Sequence, residues 1–246
     1  MAESPVWRLI PRLDAPGPVQ MAIDTWLLDQ HQHHQHPPTL RFYTWKPVAL
    51  SLGVSQRRHV PDHWHSLQWQ GQPVDLVQRP TGGRGVLHQG DLTYAVVTSH
   101  IPGHREQVYR TLCQFLIEGW LRLGVELRFG EPDGRYMRSP NCFGLATSAD
   151  LIDAYGTKRV GSAQLIRGNC VLQHGSMPLT PDGELFQRVF KVPVTPPSQG
   201  NALRSPTRSE IIAALTAAAA RCFGCQLVAQ PLMPQEWQAI QALAQG

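Results

Sequence analysis

The 246 residues carry 22 Lys and Arg against 18 Asp and Glu, a formal charge of +4, and the basic residues are scattered rather than gathered into an arm that would grip nucleic acid. No apolar stretch approaches the ~20 residues that cross a bilayer, and Met1-Ala2-Glu3-Ser4-Pro5 lacks the basic-then-apolar order of a secretory signal. The expected setting is therefore the cytoplasm, with neither nucleic acid nor membrane as a partner. Five cysteines, an odd number without a scaffold spacing, fit a reducing compartment.

In chain order, Val6-Trp7-Arg8-Leu9-Ile10 predicts a first strand, and residues 18–30 a helix with Met21, Ala22, Trp26, Leu27 and Leu28 on its apolar surface. The histidine-rich tract 31–36 ends in two prolines and lacks spaced carboxylate or cysteine partners, so it reads as a solvated loop and not as a metal site. Residues 39–45 and 48–53 are strands by their β-branched and aromatic content, with Pro47 between them. Residues 74–77 and 92–97 are two more. Tyr109, Leu112, Cys113, Leu116, Trp120 and Leu123 recur at helical steps within 104–123, where Cys113 is expected to be core packing and Gly124 to end the helix. A short strand at 125–129, a polar loop at 131–140, a strand at 170–176 and a helix from 180 to 190 follow. Residues 193–206 are rich in Pro and Ser and read as a linker or a loop. Thr207 and Glu210 form a capping box for a helix running to Cys222, and residues 234–243 form a last one. The whole, 1–246, is expected to be a single domain with a mostly antiparallel sheet.

The chain is organised around residues 78–94. Between the strands 74–77 and 92–97 lie Arg79, Pro80, Gly82, Gly83, Arg84, Gly85 and His88. Glycines let a backbone approach a ligand closely, and the proline places Arg79 in an extended conformation. The segment reads as a strand, a tight polar turn and a returning strand. On residues alone it stands between an ordinary glycine-rich hairpin and a ligand-binding turn, and the arginines between ligand contacts and turn anchors. Cys142 follows a Pro-Asn turn in a loop, and stands between a structural thiol and a nucleophile. A reactive thiol needs a neighbour that favours the thiolate, and Lys158 and His88 are candidates if the fold assembles them. Cys222 and Cys225 close a helix instead of opening one, which favours packing over redox chemistry.

Arg79-Pro80-Thr81-Gly82-Gly83-Arg84-Gly85-Val86-Leu87-His88, followed by Asp91-Leu92-Thr93-Tyr94, resembles the signature of the biotin/lipoate protein ligase and transferase superfamily. Arg84, where the ligases usually carry a third glycine, resembles that superfamily's cysteine-dependent octanoyltransferases. So do Ser139-Pro140-Asn141-Cys142-Phe143, the block from Lys158 through Gly161, Ser162, Ala163 and Gln164, and Gln173-His174-Gly175-Ser176. The helix segment at 21–28 is similar to the superfamily's Met-Ala-x-Asp pattern, and Ser51-Leu52-Gly53-Val54-Ser55-Gln56 to a segment of its acyl pocket. The matches span about residues 20 to 190.

The resemblance implies an α/β fold of the α+β type, a curved mixed, largely antiparallel sheet flanked by helices. It implies transfer of an octanoyl group from octanoyl-acyl carrier protein to a lysine of a lipoyl domain, such as glycine cleavage H protein or a 2-oxoacid dehydrogenase subunit. Cys142 would carry the acyl group as a thioester and Lys158 would contact the acyl carbonyl, with no cofactor and no metal. Arg79, Gly82, Gly83, Arg84, His88, Gly161, Ser162, Ala163, Gln164 and His174 would bind substrate, and Leu, Val and Ile side chains would line the acyl pocket. The rivals are an ATP-dependent lipoate–protein ligase, an amidotransferase between lipoyl domains, and a non-catalytic binding protein of the same fold. A ligase needs no cysteine and usually adds a small C-terminal domain, for which the segment after Pro193 is short.

Overall fold

A computed structural model describes residues 4–58, 60–130, 149–195 and 204–245. Its frame is an eight-stranded sheet built from β1 (Val6–Ala15), β2 (Thr39–Trp45), β8 (Asp91–Ser99), β9 (Leu127–Phe129), β10 (Leu151–Asp153), β11 (Lys158–Arg167), β12 (Cys170–Pro178) and β13 (Gln226–Ala229). They stand in the order β13-β1-β2-β8-β12-β11-β10-β9. β1 runs parallel to β13 and to β2, and the remaining pairs are antiparallel, as the sequence leads one to expect. A smaller sheet has the order β6-β3-β7, with β3 at Ala49–Leu52, β6 at Asp75–Gln78 and β7 at Val86–His88. β4 (Gln68–Trp69) and β5 (Gln72–Pro73) form a separate ribbon.

Helices cover both faces of the main sheet. α1 (Gly17–Gln32) and α5 (Pro234–Gln245) lie on one face, where Ile23, Leu27, Leu28 and Ile240 pack with Tyr43, Ala95, Val97 and Leu172. α2 (Arg105–Arg122) and α4 (Arg208–Cys222) lie on the other, where Leu112, Phe115, Leu116 and Leu215 pack with Phe42, Tyr94 and Val96. Alternate residues of β2 and β8 thus enter opposite cores, as the two-residue period of a strand requires. Neither face of these central strands meets solvent, so they are nearly continuous in buried side chains. A third cluster gathers Trp64, Val189 and Phe190 over Leu50, Leu52 and Leu87 of the small sheet, with α3 (Gly183–Phe190) supplying the last two of the first three.

The capping box of α4 is present, Thr207 Oγ1 accepting from Glu210 N at 3.3 Å and Glu210 Oε2 accepting from Thr207 N at 2.8 Å. α2 opens on a similar box from His104 and Gln107, which the sequence reading did not foresee, and Gly124 ends that helix at φ +79°. Cys113 is core, as expected.

Two readings are corrected. Residues 74–94 are not a hairpin. β6 and β7 both pair with β3, which lies between them, one parallel and one antiparallel. The next strand, β8, belongs to the other sheet, so the signature crosses from the small sheet to the large one. The tract 31–36 is only partly a solvated loop. His31 is buried, with its ring nitrogens 2.9 Å from His36 O and 3.0 Å from Ser99 Oγ. His36 lies against the buried Arg8–Glu236 pair that ties α5 to β1 at 2.8 Å.

Gly53 shows how tightly the turn is seated. A Cβ there would stand 2.1 Å from the carbonyl oxygen of Gly83, which is backbone and cannot rotate away. Gly53→Ala is expected to push the Gly82-Gly83 turn outward and destabilise the protein by about 1–3 kcal/mol, as overpacking does. Thermal melts of the variant and the parent chain check this.

Candidate active site

Arg79 is buried and locks the turn from within. Its guanidinium donates to Gly82 O at 2.9 Å, Arg84 O at 2.7 Å and Ser51 O at 2.9 Å. A planar fork of five donors suits this task, which a lysine could not perform. Arg79 also reaches Ser51 Oγ at 3.2 Å, and that hydroxyl stands 2.8 Å from His88 Nε2. The other nitrogen of His88 faces Asp91 Oδ2 at 2.8 Å. Burial lowers the His88 pKa below the ordinary imidazole value, against the pull of Asp91, so the ring is neutral at pH 7. It donates from Nδ1 to Asp91 and accepts from Ser51 at Nε2. His88 therefore supplies no positive charge to a thiolate.

A second buried set surrounds Asp24 of α1. Its carboxylate receives Arg41 Nε at 2.8 Å and Tyr43 OH at 2.9 Å, and faces His174 Nδ1 at 2.7 Å. His174 Nε2 faces Thr81 Oγ1 at 2.7 Å. Burial alone would raise the Asp24 pKa, but Arg41, His174 and Tyr43 together hold it below the usual carboxylate value.

Between these two sets lies a narrow inner cavity. Its floor is one row across four strands, since Gly161 of β11 pairs with Ser176 of β12, Ser176 with Thr93 of β8, and Thr93 with Tyr43 of β2. Arg79, Gly83, His88, Ser162, Ala163 and His174 also line it, together with Met21, Trp45, Val86 and Asp150. Gly175 is in the lining because nothing larger fits. A Cβ there would meet Ser162 Oγ at 2.5 Å and Gly161 O at 2.7 Å. An outer cleft bounded by Gly82, Tyr109, Arg110 and Gln164 shares Gly83, Ala149, Ser162 and Ala163 with the inner cavity, and so forms its mouth. The expected aliphatic lining is corrected, since Val86 is the sole branched aliphatic side chain among the described lining residues, and Leu and Ile are absent from them. The polar groups of the wall bond to one another instead, so an apolar ligand entering would strand few of them.

Lys158, the first residue of β11, is buried, and its Nζ lies 2.8 Å from Asp150 Oδ1. Asp150 is itself in the cavity lining. The fold thus gathers Arg79, Gly83, His88, Gly161, Ser162, Ala163 and His174 around one cavity, Lys158 at its edge through Asp150, and Gly82 and Gln164 at its mouth. Arg84 is not in either lining, and its backbone oxygen serves Arg79. Cys142 lies outside the described residues. The reading from sequence missed Asp24, Asp91, Asp150, Met21 and Trp45 as site residues. Three of these carried a signal, Met21 and Asp24 in the Met-Ala-x-Asp pattern and Asp91 three residues after His88.

The four described cysteines are all held as thiols. Burial pushes Cys113 up to about 12 and, with Glu118 beside it, Cys222 up to about 12, and it raises Cys170 and Cys225 as well. Among the described residues no group of three or more His, Cys, Asp or Glu side chains could hold a metal ion, and no helix is long and apolar enough to cross a membrane.

Residues 16–215 match the family described as the lipoyl protein ligase A/B catalytic domain. The chain belongs to that family. It is 38% identical over 199 residues to octanoyltransferase LipM of Geobacillus kaustophilus, covering 76% of this chain and 70% of the relative. Octanoyltransferase LipM of Symbiobacterium thermophilum is 33% identical over 265 residues, 98% of this chain and 94% of its own. With such relatives, this family member is an acyltransferase. Its fold is that of a putative lipoate protein ligase from Thermoplasma acidophilum with bound lipoic acid, at a TM-score of 0.76 and 22% identity over 96% of this chain and 93% of that one. A lipoate-protein ligase A bound with ATP gives a TM-score of 0.76 at 22% identity, over 97% and 94%.

Proposed function

We propose that the protein moves an octanoyl group from octanoyl-acyl carrier protein to a lysine of a lipoyl domain, through a thioester on Cys142. The observation that carries the reading is the buried Lys158–Asp150 pair at the edge of the inner cavity, whose glycine turn is clamped by Arg79. Relatives named as octanoyltransferases support it.

The chemistry is two acyl exchanges. In the first, the Cys142 thiolate attacks the carbonyl carbon of the carrier thioester. The tetrahedral oxyanion collapses, the carbonyl–sulfur bond to the carrier breaks, and the carrier leaves as a thiolate that takes up a proton. A thioester replaces a thioester, so no ATP is required. In the second, the neutral amine of the acceptor lysine attacks the Cys142 thioester. The amide forms, the Cys142 thiolate leaves, and the nitrogen gives up its proton. Each oxyanion needs a positive partner held in place beforehand, a role that suits the ε-ammonium of Lys158. A lysine Nζ with a carboxylate oxygen at 2.8 Å has few positions to choose from.

Intact-protein mass after incubation with octanoyl-acyl carrier protein, without ATP, tests the reading. A gain of one octanoyl group, passed on when a lipoyl domain is added, is expected. No gain, with product formed only from ATP and free octanoate or lipoate, would make the protein a ligase. Transfer from an octanoylated lipoyl domain alone would make it an amidotransferase.

Cys222→Ser is expected to keep full transfer activity, because the thiol is protonated at neutral pH and sits at the end of α4 against the core cluster, outside the cavity lining. A folded but inactive variant, measured in the same assay, would overturn that assignment.

A further inference from the structure

The inner cavity runs along its floor row from Gly161 at one end to Tyr43 at the other. The mouth is where it meets the outer cleft, at Gly83, Ala149, Ser162 and Ala163. Along the floor row the side chains grow from Gly161 through Ser176 and Thr93 to Tyr43, so the floor rises away from the mouth and ends in a ring. Tyr43 cannot swing aside, because its hydroxyl is held by Asp24 and the Arg41 guanidinium lies 3.8 Å from its ring centre. Trp45 is equally fixed, donating to Thr93 Oγ1 at 2.8 Å and stacking on His88 at 3.9 Å. Met21 of α1 shares their buried cluster and the cavity lining, but makes no such tie, and a thioether with three rotatable bonds fills whatever space remains.

We infer that Met21, which shares the lining and the buried cluster of Tyr43 and Trp45, closes that end of the cavity and sets the acyl chain length that the site accepts. The inference rests on the cavity being the acyl pocket, as proposed above. From β11 to β2 is three strand spacings, roughly 14 Å. With the last spacing occupied by the end wall, about two remain, roughly 10 Å. Seven carbon–carbon bonds of about 1.5 Å, drawn as a zigzag, reach roughly 9 Å. The length of an eight-carbon chain matches that span, and each further methylene must displace part of the wall. In a hydrophobic pocket a single methylene is worth about 10–200-fold.

The test is acyl-enzyme formation, read by intact mass over time, with acyl carrier thioesters of six, eight, ten and twelve carbons. The parent chain is expected to load octanoyl at least about tenfold faster than decanoyl. Met21→Ala is expected to bring the two within about threefold, and Met21→Phe to favour hexanoyl over octanoyl. If Met21→Ala does not fold, Met21→Val takes its place, with a smaller shift in the same direction. An unchanged order of chain lengths in both directions, in a protein that loads octanoyl normally, overturns the inference. If the parent chain takes no acyl group from any donor, the covalent reading fails separately. Calorimetric binding of the free fatty acids of the same lengths then tests the wall. A longer optimum in Met21→Ala supports the inference, and an identical series for both proteins overturns it.

Discussion

Cys142→Ser is expected to abolish the octanoyl mass gain and to reduce transfer to a lipoyl domain by about four to six orders of magnitude, the loss typical of deleting a nucleophile. The physical reason is the leaving group as much as the attack. A serine hydroxyl stays protonated near pH 7 and attacks a thioester poorly without a strong base. Both nitrogens of His88 are already bonded, to Asp91 and Ser51, so it is not free to serve as one. An oxygen ester, once formed, is also a less activated donor to the acceptor amine than a thioester. Nor can another described cysteine substitute, because Cys113 and Cys222 are held as thiols with pKa values pushed up to about 12, and burial raises Cys170 and Cys225 too. The measurement is intact mass together with a gel shift of the lipoyl domain. A melting temperature equal to that of the parent chain separates lost chemistry from lost structure. An active Cys142→Ser enzyme would sink the covalent mechanism.

Asp24→Asn is expected to be the most destabilising single change in the site, at about 3–5 kcal/mol, a drop in Tm on the order of 10 °C. Asp24 is fully buried and satisfies Arg41, Tyr43 and His174 at once. The amide keeps the shape but leaves the Arg41 guanidinium buried without a counter-charge. The same pair predicts an acid limb. The folded pKa of Asp24 lies below its ordinary value of 3.8, with Arg41 and His174 outweighing the upward push of burial. A depressed carboxylate contributes its stability above the unfolded pKa and loses it as pH falls toward the folded one. The parent chain should therefore lose stability below about pH 4, and Asp24→Asn should show a shallower loss over that range. Parallel acid titrations of the two proteins by circular dichroism measure the difference; identical slopes would show that Asp24 does not drive it.

Much of this protein was decided locally. The period of apolar residues placed α2 and α4, the β-branched and aromatic runs placed β2 and β8, and the Thr207–Glu210 box placed a helix start, since each depends on groups within a few residues of one another. The cluster of Arg79, Gly82, Gly83 and His88, with the lysine and histidine blocks farther on, marked the residues that meet at the cavity, because a site built on a tight turn must spend glycines and arginines where they stand. What the chain could not state by itself was partnership across distance. That β6 and β7 both pair with β3 depends on main-chain hydrogen bonds between strands remote in sequence, which carry no side-chain signature. That Asp24 serves His174 follows from where α1 lands on β12, and that Asp150 serves Lys158 follows from the register of β10 on β11. The ramp from Gly161 through Ser176 and Thr93 to Tyr43 exists only across four strands taken together. Residue types set the chemistry the site can perform, and strand register decided which of them face one another and where the cavity ends.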